Sequence, residues 1–200
     1  MARTMHRYDP STALLVVDVQ NDFADPNGNL YVAGGEEIVD AVNEEAAEAA
    51  AARATVVYTQ DWHPPVTPHF RKDGGIWPVH CVAGTWGAEL HPRLVVRRGA
   101  EVVRKGVGGE DGYSGFTVRA PESGEQRETG LEDILRGHGV EGVVIAGLAT
   151  DYCVRETVLD ALRLGFEATV LTEAVRAVDL QPGDGQRALG DLGAAGATLV

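Results

Sequence analysis

The chain has 200 residues, room for one ordinary domain at residues 1–200, and its 44% apolar content can bury a core without disulfide staples. A formal net charge of -13 argues against nucleic acid or an anionic membrane as a partner, because both reward basic patches. Only Cys81 and Cys153 are present, and the apolar run at residues 13–17 is too short for a signal-peptide core or a membrane span. A cytoplasmic, reducing address with two free thiols is therefore the expectation.

Short β-branched runs alternate with helical stretches. Ala13-Leu14-Leu15-Val16-Val17 reads as a buried strand, and residues 38–54, rich in Ala and Glu, as a helix. Thr55-Val56-Val57-Tyr58-Thr59 is a second strand, followed by an irregular segment over residues 61–100. Val102-Val103-Arg104 is a third, short strand, and residues 106–126 form a Gly-rich loop. Residues 131–138 read as a helix, and Gly142-Val143-Val144-Ile145-Ala146 is the clearest strand of all. A helix over 153–165, a strand over 168–171, a helix over 187–195 and a terminal strand over 197–200 complete the pattern. Such alternation predicts an α/β fold with right-handed crossovers and a mostly parallel sheet covered on both faces.

In such sheets ligands bind beyond the carboxyl ends of the strands. Asp18, Asp61, Lys105 and the segment Ala149-Thr150-Asp151-Tyr152-Cys153 all lie just past predicted strand ends. Cys153 opens a helix, where the helix dipole and a nearby lysine favour a thiolate. A buried structural cysteine fits that position as well, and it is the better reading for Cys81, which no helix start follows. Asp18 and Lys105 alone would be ordinary surface charges. Together with Cys153 they supply a nucleophile, a base and a cation, which is what acyl transfer needs.

Asp61 and His63 are two residues apart on extended backbone and so point the same way. His69 and His80 follow, and four of the six histidines fall between Asp61 and His91. One carboxylate and three imidazoles suit a borderline divalent metal. Three unrelated surface histidines remain the plainer alternative.

These residues carry a resemblance. Asp18-Val19-Gln20-Asn21-Asp22-Phe23, Arg104-Lys105-Gly106 and Gly147-Leu148-Ala149-Thr150-Asp151-Tyr152-Cys153-Val154 resemble, in order, the three signatures of the isochorismatase-like cysteine hydrolases. The resemblance implies a three-layer α/β/α fold around a six-stranded sheet, with Asp18, Lys105 and Cys153 as catalytic residues. It also implies an oxyanion hole at Ala149 and Cys153, with a cis peptide between Leu148 and Ala149. Asp61, His63, His69 and His80 are similar to the metal site of the nicotinamidase branch, which hydrolyses nicotinamide to nicotinate and ammonia. That implies one divalent ion (Zn, Fe or Mn) and a small pyridine carboxamide as the only partner, with a homo-oligomer left open. By the same matching, Phe23, Leu30, Trp77, Tyr113, Leu148 and Tyr152 line the ring pocket. Two features depart from the pattern: Tyr152 stands where some relatives carry a histidine, and the stretch Gly108-Gly109-Glu110-Asp111-Gly112 is expected to be an acidic, flexible loop.

A metal-water hydrolase in which Cys153 is incidental competes with this reading, as does a related amidase for another small amide. A dinucleotide-binding domain is disfavoured because no G-x-G-x-x-G follows the first strand.

Overall fold

The computed structural model describes residues 7–200. Its sheet has six strands in the order β3-β2-β1-β6-β7-β8, and every neighbouring pair is parallel. These are β1 (Thr12–Val17), β2 (Thr55–Asp61), β3 (Glu101–Lys105), β6 (Gly142–Leu148), β7 (Glu167–Arg176) and β8 (Thr198–Leu199). β1 lies near the middle, which is why its side chains form an unbroken apolar run rather than an alternating one.

Successive side chains of a strand point to opposite faces, and the core divides accordingly. On one face Leu14, Val16, Val56, Tyr58, Val144 and Ala146 pack against Ile38, Val39, Val42, Ala46 and Ala49 of α2 (Ile38–Ala51). On the other face Ala13, Leu15, Val17, Val57, Val143 and Ile145 meet three helices: α3 (Leu131–Gly137), α4 (Arg155–Arg163) and α5 (Asp184–Ala194). The result is the expected three-layer α/β/α architecture. Among the described residues no helix is long and apolar enough to cross a membrane.

Several boundaries differ from the sequence reading. α2 stops at Ala51 because Arg53 turns into the left-handed region (φ 61°) and Ala54 N–H closes onto Ala49 O at 2.9 Å. A short helix, α1 (Asn21–Ala24), follows β1 directly. The Gly-rich segment ends in an antiparallel hairpin of β4 (Thr117–Arg119) and β5 (Gln126–Glu128). Those strands are largely exposed and short, so they carry no apolar alternation to announce them. The helix expected from residue 153 begins with a π-helical turn, Thr150–Val154, that runs straight into α4.

Residues 61–100 are irregular, as expected, and two buried side chains hold them. Asp22 Oδ2 accepts the Cys81 N–H at 2.6 Å, while its Oδ1 accepts the Asn29 N–H at 2.9 Å. Gly87 lies so close above this carboxylate that a Cβ there would come within 2.1 Å of Asp22 Oδ2. Gln20 reaches the other way: its amide donates to Asp61 O at 2.7 Å and Ala88 O at 2.8 Å and accepts from Asp61 N at 2.8 Å.

Candidate active site

Chain order reverses across β1: β2 and β3 lie on one side of it, β6 and β7 on the other. The crevice beyond such a switch point is where open α/β sheets bind ligands. Four adjacent strands deliver one reactive group each to it, in the order Lys105 (end of β3), Asp61 (end of β2), Asp18 (after β1) and Cys153 (after β6). All four side chains are buried.

Lys105 is the hub. Its Nζ lies 2.6 Å from Asp18 Oδ2, in an ion pair angled away from ideal hydrogen-bond geometry, and 3.6 Å from Cys153 Sγ. The same ammonium donates to Asp61 Oδ1 and to the Gly112 carbonyl. Thr59 steadies the other oxygen of Asp18: its hydroxyl donates to Asp18 Oδ1 at 2.6 Å and accepts the Asp18 N–H at 3.2 Å. Thr157 accepts the Gly115 N–H at 2.9 Å and donates to the Cys153 carbonyl at 2.6 Å, which ties α4 and the loop to the turn that carries Cys153.

Two carboxylates share one buried lysine, and their titration separates. Burial raises the Asp18 carboxyl above the usual carboxylate range despite Lys105, with Asp61 adding to the rise. Burial would raise Asp61 too, but Lys105 and the nearby imidazoles of His63 and His80 outweigh it and hold Asp61 well below that range. Burial pushes the Cys153 thiol well above its ordinary value, against the pull of Lys105. Burial works against the Lys105 charge, yet Asp18, Asp61 and Cys153 hold its ammonium well above the usual lysine range. At both Asp18 and Cys153, burial and Lys105 thus pull in opposite directions, and burial prevails.

Asp61 turns its second oxygen to the histidines. Oδ2 lies 3.7 Å from His63 Nε2 and 3.8 Å from His80 Nε2. His63, His69 and His80 each offer a ring nitrogen, and the three nitrogens lie within 4.8 Å of one another. Each ring is supported differently. His69 Nδ1 is 2.6 Å from Asp111 Oδ1, and His80 Nδ1 is 2.7 Å from the Pro78 carbonyl. Neither oxygen can donate, so each Nδ1 carries a proton, and in a neutral ring that tautomer leaves Nε2 as the ligand atom. Both ring nitrogens of His63 are buried without a hydrogen-bond partner. Its ring fits only because residue 106 is glycine: a Cβ there, at φ +75°, would stand 2.5 Å from His63 Cε1.

Orphaned buried imidazole nitrogens are uncommon, and together with Asp61 Oδ2 these donors match the preferences of a borderline divalent ion. Asp18, Asp61 and Cys153 likewise lie within 4.8 Å of one another, but the Lys105 ammonium already occupies the space among them.

A largely apolar pocket opens onto both groups. Phe23, Leu30, Trp77, Tyr113 and Tyr152 line it together with Ala149, Cys153, Asp61, His69 and His80. Trp77 Nε1 donates to Tyr113 Oη at 2.8 Å, and the Trp77 and Tyr152 rings meet edge to face at 4.8 Å. Burial pushes the Tyr113 phenol up to about 12, so it stays protonated. The Leu148–Ala149 peptide is cis.

Leu148 departs from its expected place: it points into the core with no exposure and is not on the pocket wall. Val32 and Val178 complete that wall. The stretch Gly108-Gly109-Glu110-Asp111-Gly112 is acidic but firmly held, since Thr67 Oγ1 donates to Gly109 O at 2.7 Å, Lys105 to Gly112 O, and Asp111 grips His69. Thr59, Gln20 and Asp111 escaped the sequence reading because their partners are distant in the chain.

The family described as Isochorismatase domain matches residues 12–200. The chain is 39% identical to the nicotinamidase of Escherichia coli over 95% of its own length and 94% of that protein's. Among solved structures it is similar to the pyrazinamidase of Pyrococcus horikoshii in complex with zinc, with a TM-score of 0.85 and 42% identity over 96% of this chain and 99% of that one. A protein from L. infantum in complex with nicotinate gives a TM-score of 0.85 at 36% identity, over 96% of this chain and 92% of that one.

Proposed function

The chain belongs to the isochorismatase family, and on that premise we propose that it is a cysteine amidase of the nicotinamidase type, hydrolysing nicotinamide to nicotinate and ammonia. The observation that carries the reading is a single pocket lined both by Cys153, whose thiol lies beside Lys105 and Asp18, and by Asp61, His69 and His80 of the histidine cluster. The names of the E. coli and P. horikoshii relatives and the nicotinate bound by the L. infantum protein support it.

Phe23, Leu30, Trp77, Tyr113 and Tyr152 sandwich a flat ring. When bound, a divalent ion held by Asp61, His63, His69 and His80 supplies a Lewis-acidic point for the ring nitrogen. The carboxamide then faces Cys153. Asp18 takes the thiol proton as sulfur bonds to the amide carbon, and the carbonyl electron pair moves onto oxygen. Backbone N–H groups of Ala149 and Cys153 hold that oxyanion. As the C–N bond breaks, Asp18 returns the proton to the leaving nitrogen and ammonia departs. Asp18 next takes a proton from water, whose oxygen attacks the thioester, and sulfur leaves to recover its proton as the acid is released. Lys105 holds Asp18 in line and offsets negative charge on sulfur throughout. The raised Asp18 and Cys153 pKa values suit this order of events, because the proton moves only as the bond forms.

The cellular role that follows is pyridine-nucleotide salvage by a cytoplasmic, single-domain enzyme. In a metal-water hydrolase, by contrast, no acyl-enzyme would form. Ammonia release across nicotinamide, pyrazinamide and benzamide, with mass spectrometry of quenched turnover, tests the reading. Nicotinamide and pyrazinamide should turn over, benzamide far less, and an acyl adduct should sit on Cys153. Equal rates for benzamide and nicotinamide would refute ring-nitrogen recognition. An active enzyme with no adduct and no tight inhibition by pyridine-3-carbaldehyde would favour the metal-water route.

A further inference from the structure

The three histidines are not equally supported. His80 Nδ1 leans on a backbone carbonyl and the ring nitrogens of His63 have no hydrogen-bond partner, but His69 Nδ1 faces a carboxylate, Asp111 Oδ1, at 2.6 Å. Asp111 is no stray loop charge. Its backbone exchanges two hydrogen bonds with Arg119, at 2.8 and 2.9 Å, in an isolated antiparallel bridge, and its Oδ2 lies 3.5 Å from Arg119 Nη2. The side chain is mostly covered, with 14% exposure. Its neighbours on the same loop serve the rest of the site: Gly112 O accepts from Lys105, and Tyr113 Oη accepts from Trp77.

We infer that Asp111 is a positioning residue for the metal centre, fixing the His69 tautomer and strengthening Nε2 as a ligand from outside the coordination sphere. The inference rests on reading the histidine cluster as a metal site. Its physical basis is general: a carboxylate that accepts the distal N–H of a ligating imidazole orients the ring and makes it more basic, and losing such a partner costs about 10- to 100-fold in metal affinity. Arg119 fixes the carboxylate in turn, so the β4–β5 hairpin acts as an outer brace for the ion.

The test is competitive titration of the metal-free full chain with Zn²⁺ against a chromophoric chelator, alongside thermal unfolding of the same metal-free samples. Asp111→Ala should weaken zinc binding about 10- to 100-fold while the metal-free unfolding midpoint stays near that of the wild type. Asp111→Asn keeps an acceptor and should lose less. Glu110→Ala, which removes the adjacent carboxylate from its bond with Gly108 N–H and touches no histidine, should leave zinc affinity unchanged. Equal zinc affinity in wild type and Asp111→Ala would overturn the role of Asp111 alone. An equal loss in Glu110→Ala would also overturn it, by tracing the effect to loop integrity. A wild-type chain that takes up no zinc would overturn the metal reading itself.

Discussion

Lys105, Asp18 and Cys153 sit at or just beyond the ends of strands that share one hydrogen-bonded ladder, whereas His63, His69 and His80 ride on a segment with almost no ladder of its own. Sheet register places the first set: wherever β1, β2, β3 and β6 pair correctly, their ends meet. Each histidine instead needs its own fixture, a carboxylate, a carbonyl or a vacancy left by a glycine. The strand-end half should therefore fail chiefly when its reactive groups or their direct hydrogen-bond partners are changed. The loop half should also fail through substitutions at residues that never touch a ligand.

The largest effect is expected at the nucleophile. Cys153→Ala should lower amide turnover by about ten-thousandfold or more with the fold intact by circular dichroism. Cys81→Ala should retain most activity, since its Sγ makes only a long 3.8 Å contact with Gly87 O. Comparable turnover in folded Cys153→Ala would break the distinction between the two thiols. Metal removal comes next. Chelation should cut nicotinamide turnover about a hundredfold or more, because the lost polarisation is worth several kcal/mol. Alkylation of Cys153 by iodoacetamide should proceed at a similar rate before and after chelation, and a collapse of that rate would show the halves to be one unit.

Gly106→Ala probes the indirect sensitivity of the loop half. The new methyl would meet His63 Cε1 at 2.5 Å on a backbone that L-residues avoid, at φ +75°. It should cost about 1–3 kcal/mol of stability and weaken zinc binding, read by thermal unfolding and titration. An effect of similar size but on turnover is expected at Thr59→Val, which removes the hydroxyl from Asp18 Oδ1 without changing side-chain shape. A hydrogen bond to a charged group is worth about 1.5–3 kcal/mol, so kcat/KM should fall about tenfold or more. A change confined to KM would place Thr59 in substrate binding instead.

The strand ends were legible in the sequence because each reactive residue directly follows an apolar run, and the run itself marks where the strand stops. Asp61-x-His63 was legible for the same reason, as β2 carries extended backbone up to Asp61. Thr59 and Gln20 were not, since each meets its partner 41 residues away, through the parallel pairing of β1 with β2. Leu148 was misplaced onto the pocket wall: it continues the face of β6 that carries Val144 and Ala146 into the core on the α2 side of the sheet. Asp111 was hidden by composition, because glycines and acids suggest mobility and reveal nothing of a histidine 42 residues upstream.

Asp22 and Gly87 set a limit on how the irregular segment can vary. With a Cβ at residue 87 confined to 2.1 Å from a buried carboxylate oxygen, nineteen of the twenty side-chain choices are closed at one position of an otherwise permissive loop. In a library that randomises residues 61–100 one at a time, residue 87 would resemble a catalytic position in its intolerance, although it bears no reactive group. Pairing each replacement at 87 with a shorter residue at 22 would separate the two kinds of intolerance, because a steric veto can be lifted from the other side and a chemical requirement cannot.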